Sequence, residues 1–208
     1  MNYHNITYPD MNNGSGLRVV LWLSGCSHKC KGCQNPQTWD ANSGIPFDES
    51  AKEELFKELD KDYISGLTLT GGDPLFEGNL DDVLDLVTEI NKRYNTTQDR
   101  VYVTDKNNNV LIGIPHEIRL SSPQKSIWLY TGYKFDEIFG ENQFENLDSE
   151  YDKWNKKATI VAKCNVLVDG RYIESNRDIT LKWCGSKNQK VIDIQKSLKE
   201  GKTILWRS

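Results

Sequence analysis

The sequence predicts an α/β protein with a mainly parallel sheet. Short apolar runs bounded by turn residues alternate along the chain with segments of helical periodicity, the pattern of strand–loop–helix units. The length of 208 residues is enough for one hydrophobic core and short of two ordinary domains. With 37% apolar and 27% charged residues, the composition is typical of a globular protein rather than a disordered one.

The predicted strands share an apolar core of four to six residues followed by a polar or glycine-containing turn. They cover residues 18–23, 66–70, 127–130 and 165–168. The second of them ends at Gly71-Gly72-Asp73-Pro74, where strand geometry must break. Residues 100–114 read as a hairpin, because two β-rich runs flank residues 105–109.

Three helices are predicted between these strands. The first covers residues 49–60 with Asp48 as its N-cap, and a short one lies near residues 135–139. The clearest helix covers residues 80–94, with Asn79 as its cap and apolar residues at i, i+3, i+4 and i+7 from Leu80. Residues 141–157 are polar and irregular, which indicates a surface loop.

The charge pattern argues against two classes of partner. The net charge is −4 and no basic stripe is present, so binding to a nucleic-acid backbone is not expected. No run of 18 apolar residues exists, and the first ten residues lack a basic-then-apolar signal, so we expect no membrane association. These observations favour a cytoplasmic protein in a reducing compartment.

Three of the five cysteines fall within eight residues, at Cys26, Cys30 and Cys33, in the spacing C-x3-C-x2-C. In a reducing compartment, thiols clustered in this way bind metal more often than they form disulfides. Thiolates suit zinc, copper(I) or iron–sulfur clusters. Three thiolates would hold three irons of a [4Fe–4S] cubane and leave the fourth open, as a catalytic site requires.

A structural zinc site is the alternative, with His28 as the fourth ligand. Such sites usually combine two separated pairs of ligands, and no second pair follows this loop, so an open iron–sulfur site is favoured. We expect His28 to be a polar loop residue near the cluster. Gly32 would let the loop bend tightly and approach a cofactor.

The loop after the first predicted strand resembles the radical S-adenosylmethionine superfamily. That superfamily usually has an aromatic residue before the third cysteine, and Gly32 at this position resembles the activating proteins of anaerobic ribonucleotide reductases. The resemblance extends to Asn13-Gly14, to residues 128–134 and to residues 166–170 with 185–189, whereas Cys184 stands where arginine is common. It covers residues 1–94 and 125–208, so we expect residues 95–124 to be an insertion in a single domain of residues 1–208.

The resemblance implies an incomplete, open (βα) barrel with its site at the carboxyl ends of the strands. It implies cluster ligation by Cys26, Cys30 and Cys33. It makes the Gly71-Gly72 turn the receiver of the amino group of S-adenosylmethionine, with the Asp73 carboxylate near that ammonium. The residues expected to contact this cofactor are Gly32, Cys33, Gln34, Gly71, Gly72 and Asp73.

The resemblance also implies an activity. The reduced cluster would cleave S-adenosylmethionine, and the resulting radical would abstract hydrogen from a glycine of the large subunit of anaerobic ribonucleoside-triphosphate reductase. A reductant such as flavodoxin would supply the electron. Two alternatives stay open: an activase of another glycyl-radical enzyme such as pyruvate formate-lyase, and a zinc-binding interaction module without catalysis.

Overall fold

The computed structural model describes residues 1–104, 110–119, 124–140 and 148–207. Within them, nine strands are present, and they divide into a large sheet and a separate pair. In chain order the strands are β1 (Asn2–Asp10), β2 (Leu17–Leu23), β3 (Ile45–Pro46), β4 (Ile64–Gly71), β5 (Thr96–Thr104), β6 (Val110–Arg119), β7 (Ser126–Tyr130), β8 (Val166–Asp169) and β9 (Lys190–Asp193).

The described residues also form five α-helices. They are α1 (Glu49–Leu59), α2 (Leu80–Ile90), α3 (Phe135–Phe139), α4 (Asp148–Lys163) and α5 (Ile194–Glu200). The predicted cap of α1 is confirmed, because the Asp48 side chain accepts a hydrogen bond from the Ala51 N–H. None of these helices is both long and apolar enough to cross a lipid bilayer.

The large sheet has seven strands in the order β3-β1-β2-β4-β7-β8-β9 and does not close. Its centre is parallel, from β2 through β4 and β7 to β8, and these are the four strands predicted from apolar runs. The outer strands, β3 and β1 on one side and β9 on the other, pair antiparallel. The α/β class is therefore confirmed, while the expectation of a mainly parallel sheet holds for the centre only.

The two faces of this sheet bury different chemistry. Alternate residues of the central strands, such as Leu21, Leu69 and Leu129, join the main hydrophobic core with residues of α1, α2, α4 and α5. The intervening residues face the other way, and there Trp128 packs with Val166 and Val168 in a second cluster. This second face carries the polar side chains Arg18, Thr68 and Thr70 among its buried residues, and the candidate site is built on it.

Strands β5 and β6 form a two-stranded antiparallel sheet apart from the large one. This confirms the predicted hairpin, although its expected turn at residues 105–109 lies outside the described residues. The base of the segment is closed by one side chain. Asn95 donates from Nδ2 to the Lys125 carbonyl (2.9 Å) and accepts the Lys125 N–H at Oδ1 (3.1 Å), so the chain leaves and re-enters the fold at one point.

The prediction of a surface loop over residues 141–157 was wrong where the structure describes it. Helix α4 begins at Asp148 and continues to Lys163. Trp154, Ala158 and Val161, spaced i, i+4 and i+7, pack on the main core. Many charged residues surround this narrow apolar stripe, so its helical periodicity was not recognised in the sequence. Residues 141–147 lie outside the described part of the chain.

Asn79 occupies the N-cap position of α2 but does not cap it, which corrects the sequence prediction. Its backbone is helical, because a 3-10 turn leads directly into α2. The side chain instead donates from Nδ2 to the Ser24 carbonyl at 2.8 Å, and the residue is only 3% exposed. The helix itself ends at Ile90 and continues as a π-helical turn over Asn91–Asn95, rather than as regular α-helix to residue 94.

This reassignment of Asn79 is testable because capping and anchoring respond differently to Asn79→Asp. Aspartate is as good an N-cap as asparagine, so a cap would tolerate the change. An anchor would not, since the new carboxylate would face the Ser24 carbonyl with no proton to donate. We expect Asn79→Asp and Asn79→Ala each to lower the free energy of unfolding by about 1–3 kcal/mol. Chemical denaturation measures this, with Asp48→Asn as the control at a true cap; an unchanged Asn79→Asp protein would restore the capping role.

Candidate functional site

The predicted site residues lie where the central strands end. The cysteine loop, residues 24–35, follows β2, and the Gly71–Asp73 turn follows β4. Thr131-Gly132 and Asp169-Gly170 follow β7 and β8 in the same way. Because β2, β4, β7 and β8 are parallel, these four turns share one edge of the sheet.

The cysteine loop is tied to the fold at its start. Gly25 donates its N–H to the Thr38 carbonyl (2.8 Å), and Cys26 donates to the Trp39 carbonyl (3.1 Å). The second half of the cysteine loop contains a turn, in which the Cys33 N–H donates to the Cys30 carbonyl (3.1 Å). Gly32 in this turn has φ +77°, which favours glycine, so the predicted tight bend is present.

The local environment favours the protonated thiol at Cys26 and Cys30. Burial raises the pKa of Cys26, and the nearby Asp73 carboxylate raises it further. Burial also raises the pKa of Cys30, and a hydrogen bond from the Tyr172 N–H opposes this shift. Cys26, Cys30 and Cys33 are all free thiols, so each can serve as a metal ligand once it loses its proton.

The Gly71–Asp73 turn is hydrogen-bonded directly to the beginning of the cysteine loop. Gly72 donates its N–H to the Leu23 carbonyl (2.7 Å), and Asp73 donates to the Gly25 carbonyl (2.8 Å). Gly71 has φ +98°, and a Cβ there would lie 2.8 Å from the Leu23 nitrogen. The glycines are therefore required for this close approach, and the two motifs that the sequence singled out are adjacent.

Asp73 is buried, with only 2% of its surface exposed, and its carboxylate is engaged by the protein. Oδ1 accepts from the Leu75 N–H (2.8 Å), and Oδ2 accepts from the Gly132 N–H (3.1 Å). The Thr131 hydroxyl lies 2.9 Å from both oxygens. The carboxylate thus joins the turn after β4 to the turn after β7.

A cavity of about 380 Å³ opens on the second face of the sheet. Its floor is made by Trp22, Thr70 and Tyr130, which occupy neighbouring positions on β2, β4 and β7. The cysteine loop forms one wall with Cys30, Cys33 and Gln34. Residues of the segment after β8 form the opposite wall: Tyr172, Leu181, Trp183, Cys184, Gly185 and Gln189.

The structure does not bring every predicted residue to this cavity. Cys26 lines a second cavity of about 740 Å³, on the side of the loop that faces Trp39 and Phe76. Gly32 approaches the segment after β8, since a Cβ there would lie 2.2 Å from Glu174 Oε2. The cysteine loop therefore separates the two cavities, with Cys30 and Cys33 on one side and Cys26 on the other.

Comparison with known proteins identifies the family. Residues 12–111 and 101–192 match the model of a 4Fe-4S single cluster domain. The chain is 36% identical to the anaerobic ribonucleoside-triphosphate reductase-activating protein of Enterobacteria phage T4, over 92% of this chain and 93% of the relative. The protein of the same name from Escherichia coli K12 is 34% identical over 92% and 97%, and that from Haemophilus influenzae 31% over 91% and 96%.

The chain belongs to the anaerobic ribonucleoside-triphosphate reductase-activating protein family. The resemblance noted in the sequence is thereby confirmed, and it extends over nearly the whole chain. The match to a 4Fe-4S domain also supports an iron–sulfur cluster as the metal group.

The donor set has the chemistry that an iron–sulfur cluster takes. Cys26, Cys30 and Cys33 are three free thiols on one loop, and in a cubane each thiolate binds a separate iron at its own corner. Among the described residues, no three His, Cys, Asp or Glu side chains are grouped closely enough to hold one metal ion.

Sequence reasoning missed two residues of the cavity in this family member. Tyr130 lines the cavity, and its hydroxyl is buried there without a hydrogen-bond partner among the described residues. Burial raises the pKa of Tyr130, so the hydroxyl keeps its proton. Cys184 was set apart from the other thiols, but it lines the same cavity, and burial raises its pKa to about 11. Alternation along β7 could have indicated Tyr130, whereas no local signal marks Cys184.

The role of the Asp73 carboxylate can be tested through Thr131. Thr131→Val removes a hydroxyl donor and leaves the buried carboxylate under-satisfied, so we expect the free energy of unfolding to fall by about 1–3 kcal/mol. Thr131→Ser keeps the hydroxyl and should lose far less. Chemical denaturation of both variants in the cluster-free protein measures the difference. Equal losses for valine and serine would mean that the hydroxyl does not support Asp73.

Proposed function

We propose that this protein activates anaerobic ribonucleoside-triphosphate reductase by reductive cleavage of S-adenosylmethionine at a [4Fe–4S] cluster. Hydrogen abstraction from a glycine of the reductase then gives a glycyl radical. One observation carries the proposal: a loop of three free thiols follows β2 and is hydrogen-bonded to the Gly71–Asp73 turn after β4. The names of the relatives support the reductase as the target.

Cys26, Cys30 and Cys33 are the proposed ligands of three irons, leaving the fourth open. When bound and reduced, such a cluster supplies the electron that breaks the C5′–S bond of S-adenosylmethionine and yields a 5′-deoxyadenosyl radical. The protein's part is to hold the reactants and exclude water and oxygen. The side chains on the cavity floor, Trp22 and Tyr130, suit that exclusion because they are large and mostly buried.

The proposed cofactor contacts divide into two groups. Gln34 lies on the cavity wall, where its amide can donate and accept, and Cys33 lies beside it. Gly71 and Gly72 are the proposed backbone acceptors for the amino group of S-adenosylmethionine, and Gly32 is the proposed close approach in the loop. Asp73 was expected near that ammonium; because its oxygens already accept from Thr131, Gly132 and Leu75, we assign it the role of holding the turn.

The proposal includes a cytoplasmic reductant such as flavodoxin as the electron source. A reducing compartment is needed because Cys26, Cys30 and Cys33 must stay as thiols until the cluster forms. Their protonated state, favoured at Cys26 and Cys30 by burial, protects them from oxidation before assembly.

The decisive experiment is electron paramagnetic resonance of an anaerobic mixture. Dithionite-reduced, iron-loaded protein, S-adenosylmethionine and the reductase large subunit should give a glycyl-radical signal. Each of three single variants should lose most of its iron, relative to about four irons for a cubane, and should give no glycyl-radical signal. These variants are Cys26→Ala, Cys30→Ala and Cys33→Ala. Cys164→Ala, at a buried site in the core, is the matched control and should keep both.

Two results would contradict the proposal. Iron content near the wild-type value in Cys30→Ala would remove the ligand assignment. A radical formed on pyruvate formate-lyase but not on the reductase, with the wild-type protein, would replace the proposed target by another glycyl-radical enzyme.

We also propose that residues 95–124 are an insertion that radical generation does not require. The Asn95–Lys125 pair closes its base, so removal of residues 97–123 with a short Gly/Ser linker joins ends that already meet. The shortened protein should cleave S-adenosylmethionine at a rate within about twofold of wild type, measured as 5′-deoxyadenosine released. A folded, iron-loaded variant without cleavage would place the segment in the active site. Cleavage without glycyl-radical formation would assign it to the surface that meets the reductase.

A further inference from the structure

His28 lies in the middle of the cysteine loop, but its side chain is turned into the protein. Only 4% of the side chain is exposed, while its neighbours Ser27 and Lys29 are exposed. The ring packs edge-to-face against Tyr133, with 4.6 Å between the ring centroids. It also lies against Gly132, where an added Cβ would come within 2.3 Å of His28 Cδ2.

The polar edge of the same ring meets the Asp73 carboxylate. Nε2 of His28 lies 2.8 Å from Asp73 Oδ2. Within the part of the chain that the structure describes, Nε2 makes no hydrogen bond. Asp73 is only 2% exposed, and its other contacts come from neutral donors. The imidazole is therefore in direct contact with this buried carboxylate.

These contacts connect three turns that the sheet alone does not join. His28 belongs to the loop after β2, Asp73 to the turn after β4, and Gly132 to the turn after β7. The backbone hydrogen bonds of Gly25 and Cys26 hold the start of the loop, and the contacts of His28 hold its middle. Cys26 and Cys30 flank His28 at two residues on either side, so fixing His28 fixes both.

We propose that His28 is a positioning residue that clamps the cysteine loop onto the Asp73 and Gly132 turns before any cluster binds. The clamp holds Cys26 and Cys30 in a set relation to the Gly71-Gly72 backbone. The role of this clamp in binding a cluster and S-adenosylmethionine rests on the proposed function. The clamp itself is a property of the cluster-free chain. In this arrangement Nε2 of His28 faces Asp73, and Gly132 and Tyr133 contact the ring.

The direct test is hydrogen exchange of the cluster-free protein. His28→Ala should raise the amide exchange rate of peptides covering residues 24–35 by about tenfold, the loss expected for one polar contact. Gly132→Ala should do the same without altering His28, because its methyl group would displace the ring. His28→Gln, which can place an amide nitrogen near the Nε2 position, should restore most of the protection. Lys31→Ala, at an exposed site in the same loop, is the matched control and should behave as wild type.

A second measurement follows the loaded protein. His28→Ala should still take up about four irons but should lose them to a chelator about tenfold faster than wild type. Lys31→Ala should lose them at the wild-type rate. Pulsed electron paramagnetic resonance of the reduced wild-type cluster should show no nitrogen coupling from an imidazole ligand.

Unchanged exchange in both His28→Ala and Gly132→Ala would overturn the clamp. A histidine nitrogen coupling that disappears in His28→Ala would also overturn it and make His28 a ligand. If the wild-type protein takes up no iron, the proposed function fails, whereas the exchange data on cluster-free protein still decide the clamp.

Discussion

The buried carboxylate of Asp73 is the interaction on which the arrangement of the site depends. A charge that is 2% exposed must be stabilised by hydrogen bonds, and here the donors come from the turns after two different strands. Its backbone N–H is bonded to Gly25 at the start of the cysteine loop. Satisfying one buried charge therefore requires three strand ends to keep a single geometry. The parallel strands bring these ends to one edge, and the carboxylate joins the turns that follow them.

The two faces of the sheet have different roles. The face under the helices is almost wholly aliphatic and stabilises the fold by burying apolar surface. The other face buries Arg18, which donates to the Leu67 and Ser126 carbonyls and to Thr68 Oγ1. Burial lowers the pKa of Arg18 to about 9. Above this layer lies the floor of the open cavity. It is formed by Trp22, Thr70 and Tyr130, near the carboxyl ends of their strands. The helix-free face is thus free to hold ligands because the core lies elsewhere.

The cysteine loop combines fixed backbone with unliganded thiols. Its ends are held by hydrogen bonds, and its glycine at position 32 bends it. Burial raises the pKa of Cys26 and Cys30, so binding of a metal there would have to displace their protons. Cys184 adds a further thiol to the cavity, and burial raises its pKa to about 11.

Local spacing in the sequence determined the elements that carry the proposed site. The loop with Cys26, Cys30 and Cys33, the Gly71–Asp73 turn, the four central strands and helix α1 depend on neighbours in the chain, so their places in the fold could be predicted. Other features depend on contacts between distant residues and could not be predicted. They are the antiparallel outer strands, helix α4, the pairing of His28 with Asp73, and the positions of Tyr130 and Cys184 at the cavity. Asn79 shows the limit most clearly, because a good capping residue is used instead to reach Ser24, 55 residues away. Only the folded chain decides which of two satisfactory hydrogen bonds a side chain makes.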